Sequence, residues 1–171
     1  AISIEKEMNT VTSKLETGKT KVQELEEKIT TLEEELNKTK IENMKDPLTG
    51  LLTRKSFTDE VVRIESSYVR INTQYAVVFF DLDHFKKIND TYGHECGDVV
   101  LSTFGKILNK SIRDHDIVGR YGGEEFVAII HFNLNRELLQ FLKRIKTIVT
   151  ENSFLYKGQK IKVTFSAGVA L

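Results

Sequence analysis

Two adjacent glycines and two adjacent carboxylates stand together in Arg120-Tyr121-Gly122-Gly123-Glu124-Glu125-Phe126, and the apolar run Val127 to Ile130 follows directly. Consecutive glycines permit φ > 0 at two positions, as a two-residue hairpin turn requires, and they leave no side chain to obstruct a ligand near the backbone. Gly122 and Gly123 are therefore candidate substrate contacts. A carboxylate just after such a turn is fixed at a strand end, where it can hold a divalent cation or take up a proton. Glu124 and Glu125 occupy that place. An ordinary Gly-Gly hairpin with solvated glutamates would carry the same local sequence. The second chemical feature is Asp81, at the end of the apolar run Tyr75 to Phe80. Aspartate is a poor strand residue, and in open sheets with crossover helices ligands gather at the carboxyl ends of strands. Asp81 is thus a candidate metal ligand, against the simpler reading of a strand-terminating turn. Asp83 alternates to the opposite side of the strand and is expected to cap the helix that follows. If their strands are neighbours, Asp81 and Glu124 make an oxygen-donor site suited to Mg2+ or Mn2+, which takes one or two carboxylates plus substrate phosphates.

The elements that must position these groups can be read from periodicity. Residues 1–45 hold one glycine and no proline, and apolar residues recur every seven positions at Met8, Leu15, Val22, Ile29 and Leu36. Ile4, Val11, Leu25 and Leu32 occupy the second seam position, so the segment reads as a dimeric coiled coil with a charged outer face. Asp46-Pro47 then breaks the helix, which places the domain boundary between residues 45 and 46. Thr53 is a plausible N-cap for an amphipathic helix with Phe57, Val61 and Ile64 inward. Tyr75 to Phe80 suits a strand buried on both faces. A short helix carries Phe85, Lys86 and Ile88, and a second opens at Gly97-Asp98. Ile117 to Tyr121 and Phe126 to Phe132 are the arms of the hairpin. Arg136 to Glu151 is a helix with Leu138, Leu139, Leu142, Ile145 and Val149 inward, and Ile161 to Ala167 is the last strand. Strands separated by helices and joined by one hairpin indicate an α+β sandwich of ferredoxin or polymerase-palm type.

Composition narrows the function classes. The chain has 171 residues with 25 basic and 25 acidic side chains, so no basic surplus exists to drive binding to nucleic-acid backbones. Any phosphate recognition must be local. Cys96 is the sole cysteine, which excludes an intrachain disulfide and a cysteine-cluster metal site and agrees with a cytoplasmic setting. No apolar run reaches the roughly 18 residues needed to cross a bilayer, although tethering through an upstream segment stays open.

The sequence resembles a GGDEF domain of a diguanylate cyclase, in the GGEEF spelling at Gly122 to Phe126. The likeness extends to Asp46-Pro47-Leu48-Thr49-Gly50-Leu51, to Phe80 through Asp90, to Thr91-Tyr92-Gly93-His94 with Gly97-Asp98, and to Val163 through Ala170. It spans residues 46–171. The resemblance implies that Asp81, Glu124 and the Leu82 carbonyl bind magnesium, and that Asn89 and Asp98 read guanine. It places Phe85 and Lys86 at the phosphates, by backbone and ammonium respectively. It makes Glu124 the base for the ribose 3′-hydroxyl, assisted by Glu125. Arg113 and Asp116 stand in the RxxD spacing of the family's inhibitory product site. The implied reaction joins two GTP into cyclic di-GMP with release of two pyrophosphates across a homodimer, one GTP on each domain.

The resemblance also implies a further helix and closing strand after the strand ending near Leu171, with a lysine and an arginine facing the triphosphate. The chain is therefore expected to be C-terminally incomplete, and a sensory domain is expected upstream. Two other classes compete. One is a catalytically silent domain that acts as a receptor for GTP or cyclic di-GMP, and intact Asp81, Asn89 and Glu124 argue against it. The other is a dimerisation module in which the coiled coil does all the work.

Overall fold

The computed structural model describes residues 2–71, 74–151 and 154–171, and within them the side chains outside 2–7, 9–13, 40–42 and 66–71. The chain divides into two units, Ala1–Glu42 and Asn43–Leu171.

The first unit is almost all of helix α1, Ile2–Asn43. Its described seam residues are uncovered, from 49% exposure at Leu25 to 68% at Leu15. Ile4 and Val11 lie outside the described side chains. The helix therefore has no core of its own, and its order as a lone helix would rest on propensity and surface pairs such as Lys21 with Glu24.

The second unit is α+β. Its elements are β1 (Leu52–Thr53), α2 (Arg54–Ile71), β2 (Tyr75–Leu82), α3 (Phe85–Tyr92), α4 (His94–Ser111), β3 (Ile117–Arg120), β4 (Glu125–His131), α5 (Asn135–Glu151), β5 (Phe154–Tyr156), β6 (Gln159–Ile161) and β7 (Phe165–Ala170). Five strands form one sheet in the order β1-β3-β4-β2-β7. Only the β1–β3 pair is parallel.

Alternation along the central strands assigns the two faces. Ala76, Val78, Phe80 and Leu82 of β2 join Phe126, Ala128 and Ile130 of β4 in the main core, which Phe104 of α4 and Phe141 and Ile145 of α5 also enter. Val127 and Ile129 point the other way and meet Phe57 of α2. Each fully buried Phe or Leu of this kind is worth roughly 1.5–3 kcal/mol. The aromatic cluster lies directly beneath the chemistry. The Phe104 ring centroid is 5.0 Å from that of Phe126 and 6.3 Å from that of Phe80. Phe80 immediately precedes Asp81 and Phe126 immediately follows Glu125, so the packed rings fix both carboxylate-bearing strand ends.

Several local expectations need correction. Strand β2 is not buried on both faces: Phe79 is 45% exposed, because α2 packs over β1 and β3 and leaves this part of the sheet open. Helix α4 begins at His94, three residues before Gly97. Leu139 is exposed, because the buried stripe of α5 runs Leu138, Phe141, Ile145 and Val149. Ile161 belongs to a separate two-stranded hairpin, turned at Lys157 (φ 47°) and Gly158 (φ 80°), and the last sheet strand starts only at Phe165. Thr53 does cap α2, its Oγ1 accepting from the Ser56 N–H at 3.3 Å.

Candidate active site

Strands β2 and β4 are antiparallel neighbours, with Asp81 directly opposite Glu125. The Leu82 N–H donates to the Glu124 carbonyl at 3.3 Å. The two strand ends are therefore neighbours, and Glu125 rather than Glu124 stands directly across from Asp81.

The turn between β3 and β4 is wider than a two-residue hairpin. Neither Gly122 nor Gly123 has positive φ among the described residues, and the N–H groups of Tyr121 and Gly122 both donate to the Glu125 carbonyl, at 2.8 and 3.2 Å. The two glycines differ in their surroundings. A Cβ on Gly122 would come within 2.5 Å of Glu125 Oε2, whereas one on exposed Gly123 would meet nothing within 4 Å, which leaves that backbone open to a ligand. Arg120 holds the turn. Its Nε donates to the carbonyls of Gly122 and Gly123 at 3.2 Å each, its Nη2 to Gly123 at 2.8 Å, and its Nη1 reaches Asp46 at 3.2 Å. Arg120 adjoins the glycines in sequence, but its anchor lies 74 residues upstream, so nothing local could reveal the clamp.

Asp81, Glu124 and Glu125 have no side-chain hydrogen bond or ion pair among the described residues. Carboxylates at two neighbouring strand ends without a protein cation suit a hard divalent ion. The oxygen-only donor set fits magnesium, which needs just one or two carboxylates and fills its octahedron with carbonyl, water and phosphate oxygens. The residues present therefore fit the implied cation.

Beyond β2 the chain turns sharply into α3. His84 makes that turn in the left-handed region, at φ 56° and ψ 29°. A non-glycine residue there costs of order 1–3 kcal/mol and is characteristic of functional sites. Nothing in the identity of His84 signals this conformation from the sequence. The N–H groups of Phe85 and Lys86 head α3 without intrahelical partners, next to Asp81. The Phe85 side chain is buried, so its backbone is what it offers, while Lys86 is exposed. Asp83 does not cap α3. It accepts from Ser166 Oγ at 2.7 Å, and its N–H donates to Thr164, tying β2 to β7. Hydrogen bonds from Ser166 and Thr164 hold its carboxyl below the ordinary range.

Asn89 of α3 lies against Gly97 of α4, the residue before Asp98. Asn89 Oδ1 is buried and is without a partner. Gly97 makes room for it: a Cβ there would fall 2.0 Å from Asn89 Oδ1 and 3.1 Å from the Phe85 ring. An unpaired amide kept beside a mandatory glycine, with exposed Asp98 next in sequence, suits a polar ligand edge. Gly97 is a supporting residue that its adjacency to Asp98 could have flagged.

A family model described as "Diguanylate cyclase, GGDEF domain" matches residues 43–171. The chain belongs to the GGDEF family. Over 130 residues it is 43% identical to the probable diguanylate cyclase DgcT of Escherichia coli, covering 73% of this chain and 28% of that protein. Diguanylate cyclase A of Treponema denticola is 42% identical over 95 residues, 56% of this chain and 26% of the relative. The chain thus spans about a quarter of these curated relatives. The solved coiled coil and GGDEF domain of DgcB from Caulobacter crescentus, in complex with c-di-GMP, superposes with a TM-score of 0.80 at 25% identity, covering 88% of this chain and 81% of that one. No described helix is long and apolar enough to cross a membrane.

In this GGDEF domain Arg113 and Asp116 lie at the other end of the β3–β4 hairpin from Gly122-Gly123. Arg113 is exposed, whereas Asp116 is 6% exposed. The Asp116 carboxylate accepts from the Arg113 N–H at 3.0 Å and from the His131 N–H at 2.9 Å. It closes the turn before β3 and has lone pairs left over. The structure therefore separates the RxxD pair from the carboxylate end rather than joining them in one site.

Proposed function

We propose that this domain condenses two GTP into cyclic di-GMP as one half of a homodimer. The observation that carries the reading is the placement of Asp81 opposite Glu125, with Glu124 tied to Leu82 and no protein cation against the three carboxylates. Asp81, Glu124 and the Leu82 carbonyl would hold a magnesium ion, which when bound supplies positive charge to the phosphates and acidifies a neighbouring hydroxyl.

The chain's own residues do the rest. The N–H groups of Phe85 and Lys86 at the start of α3 receive phosphate oxygens, favoured by the helix dipole, and the Lys86 ammonium adds charge. Asn89 and Asp98 pair with the guanine edge, which offers a carbonyl acceptor and N–H donors. Gly122 and Gly123 let the nucleotide lie against the turn. Glu124 takes the proton from the ribose 3′-hydroxyl. That oxygen then attacks the α-phosphorus of the GTP on the partner domain, the α–β anhydride breaks, and pyrophosphate leaves. The same event in the opposite sense closes the ring.

One domain holds only one nucleotide, so two must meet. The uncovered heptad seam of α1 supports pairing through a coiled coil, which would raise the effective concentration of the two half-sites. Arg113 and Asp116 are proposed as the product-binding pair, the exposed guanidinium suiting guanine O6 and N7. Incubation with GTP and Mg2+ followed by mass analysis tests the reading: cyclic di-GMP and pyrophosphate are expected. Unchanged GTP together with saturable cyclic di-GMP binding would instead identify a receptor.

A further inference from the structure

We infer that His115, Asp116 and His131 form a binding site for a borderline transition cation of the Zn2+ or Co2+ type, distinct from the carboxylate site. It lies where β3 begins and β4 ends. The register of the hairpin, Ile117 opposite Ile129, brings the two residues before β3, His115 and Asp116, alongside the end of β4. His131 Nδ1 is 3.4 Å and His115 Nε2 3.9 Å from Asp116 Oδ1. The three donor atoms all lie within 4.8 Å of one another, the one such trio among the described residues.

Ligands about 2.0–2.1 Å from a tetrahedral metal stand roughly 3.3 Å apart. Asp116 and His131 already have that spacing. Only His115 must close, and its side chain is 58% exposed and free to do so. The carboxylate is oriented in advance by the two backbone N–H groups that it accepts from, the kind of support that fixes a metal ligand. Two imidazoles and one carboxylate favour zinc, cobalt or nickel over magnesium, which prefers oxygen donors. With His115 at the surface, a fourth position opens to solvent. None of these three side chains takes part in the proposed condensation chemistry, although Asp116 is shared with the proposed product-binding pair, and the alternative is that both imidazoles merely hydrogen-bond to Asp116.

The test is a Co2+ titration of the full chain in excess Mg2+, following the visible ligand-field absorption of a tetrahedral site. The wild type and Asp81→Asn are expected to give the same saturable band, displaced by Zn2+. His115→Ala, whose exposed ring is not needed for folding, should weaken binding at least about tenfold, and His131→Gln should do likewise with an unchanged far-UV spectrum. Absence of a tetrahedral band, a band indifferent to His115→Ala, or one lost in Asp81→Asn would overturn the assignment.

Discussion

The Arg120 guanidinium lies 3.2 Å from both carboxylate oxygens of Asp46 while the same side chain binds the carbonyls of Gly122 and Gly123. Each partner's side chain is 18% exposed, so the pair is sheltered without being dry. It joins the turn that follows α1 to the turn that carries Glu124. Arg120→Ala leaves Asp46 unpaired and the glycine carbonyls unheld, and should lower stability by about 1–3 kcal/mol. Because the turn positions the proposed base, turnover should fall further than stability suggests, on the order of 10²-fold. Urea denaturation and initial rates on the same preparation check both values.

Asp46 also predicts a pH dependence. Burial alone would raise its carboxyl, but the Thr49 hydroxyl and N–H, together with Arg120, outweigh it and hold the pKa below the ordinary 3.8. A depressed folded pKa stabilises the fold above the unfolded value, and that contribution is lost as pH falls through the folded one. The stability gap between wild type and Asp46→Asn should therefore be full at neutral pH and shrink below about pH 4. Urea midpoints of both proteins between neutrality and acid measure it. A gap that widens on acidification contradicts the assignment.

Much of this site was legible because its parts are local. The heptads, the apolar run of β2, the strand-ending Asp81 and the paired glycines each announce themselves within a few residues. What was not legible depends on distant partners or on backbone angles. The Gly122-Gly123 pair was expected to need positive φ, yet neither glycine adopts it, and the turn is held by a clamp anchored at Asp46. Asp83 looks like a helix cap but bonds Ser166, 83 residues away. Leu139 fits helical spacing as well as Phe141 does, and only the position of the sheet decides which is buried.

Gly97 and Asn89 should respond oppositely. Gly97→Ala drives a methyl into Asn89 and Phe85 and should cost about 1–3 kcal/mol by overpacking. Asn89→Ala removes a buried oxygen that has no partner, so stability should hold or rise. Both should weaken GTP binding tenfold or more, as expected when a polar reader of the base is lost. Thermal unfolding and calorimetric titration with GTP separate the two effects.

The α1 seam makes a prediction about assembly. Leu25→Lys with Leu32→Lys places charges at neighbouring seam layers, and sedimentation should show a dimer giving way to monomer. Rate per chain should then become proportional to protein concentration. Unaltered sedimentation would mean that the seam is not the dimer contact.

The central claim is that Glu124, the neighbour of the Glu125 that the β2–β4 register sets opposite Asp81, accepts the 3′-hydroxyl proton. Cyclic di-GMP formed from GTP and Mg2+ by Glu124→Gln and by wild type, at equal melting temperature, tests it most directly. A loss of at least about 10²-fold is predicted; product at the wild-type rate would contradict the account.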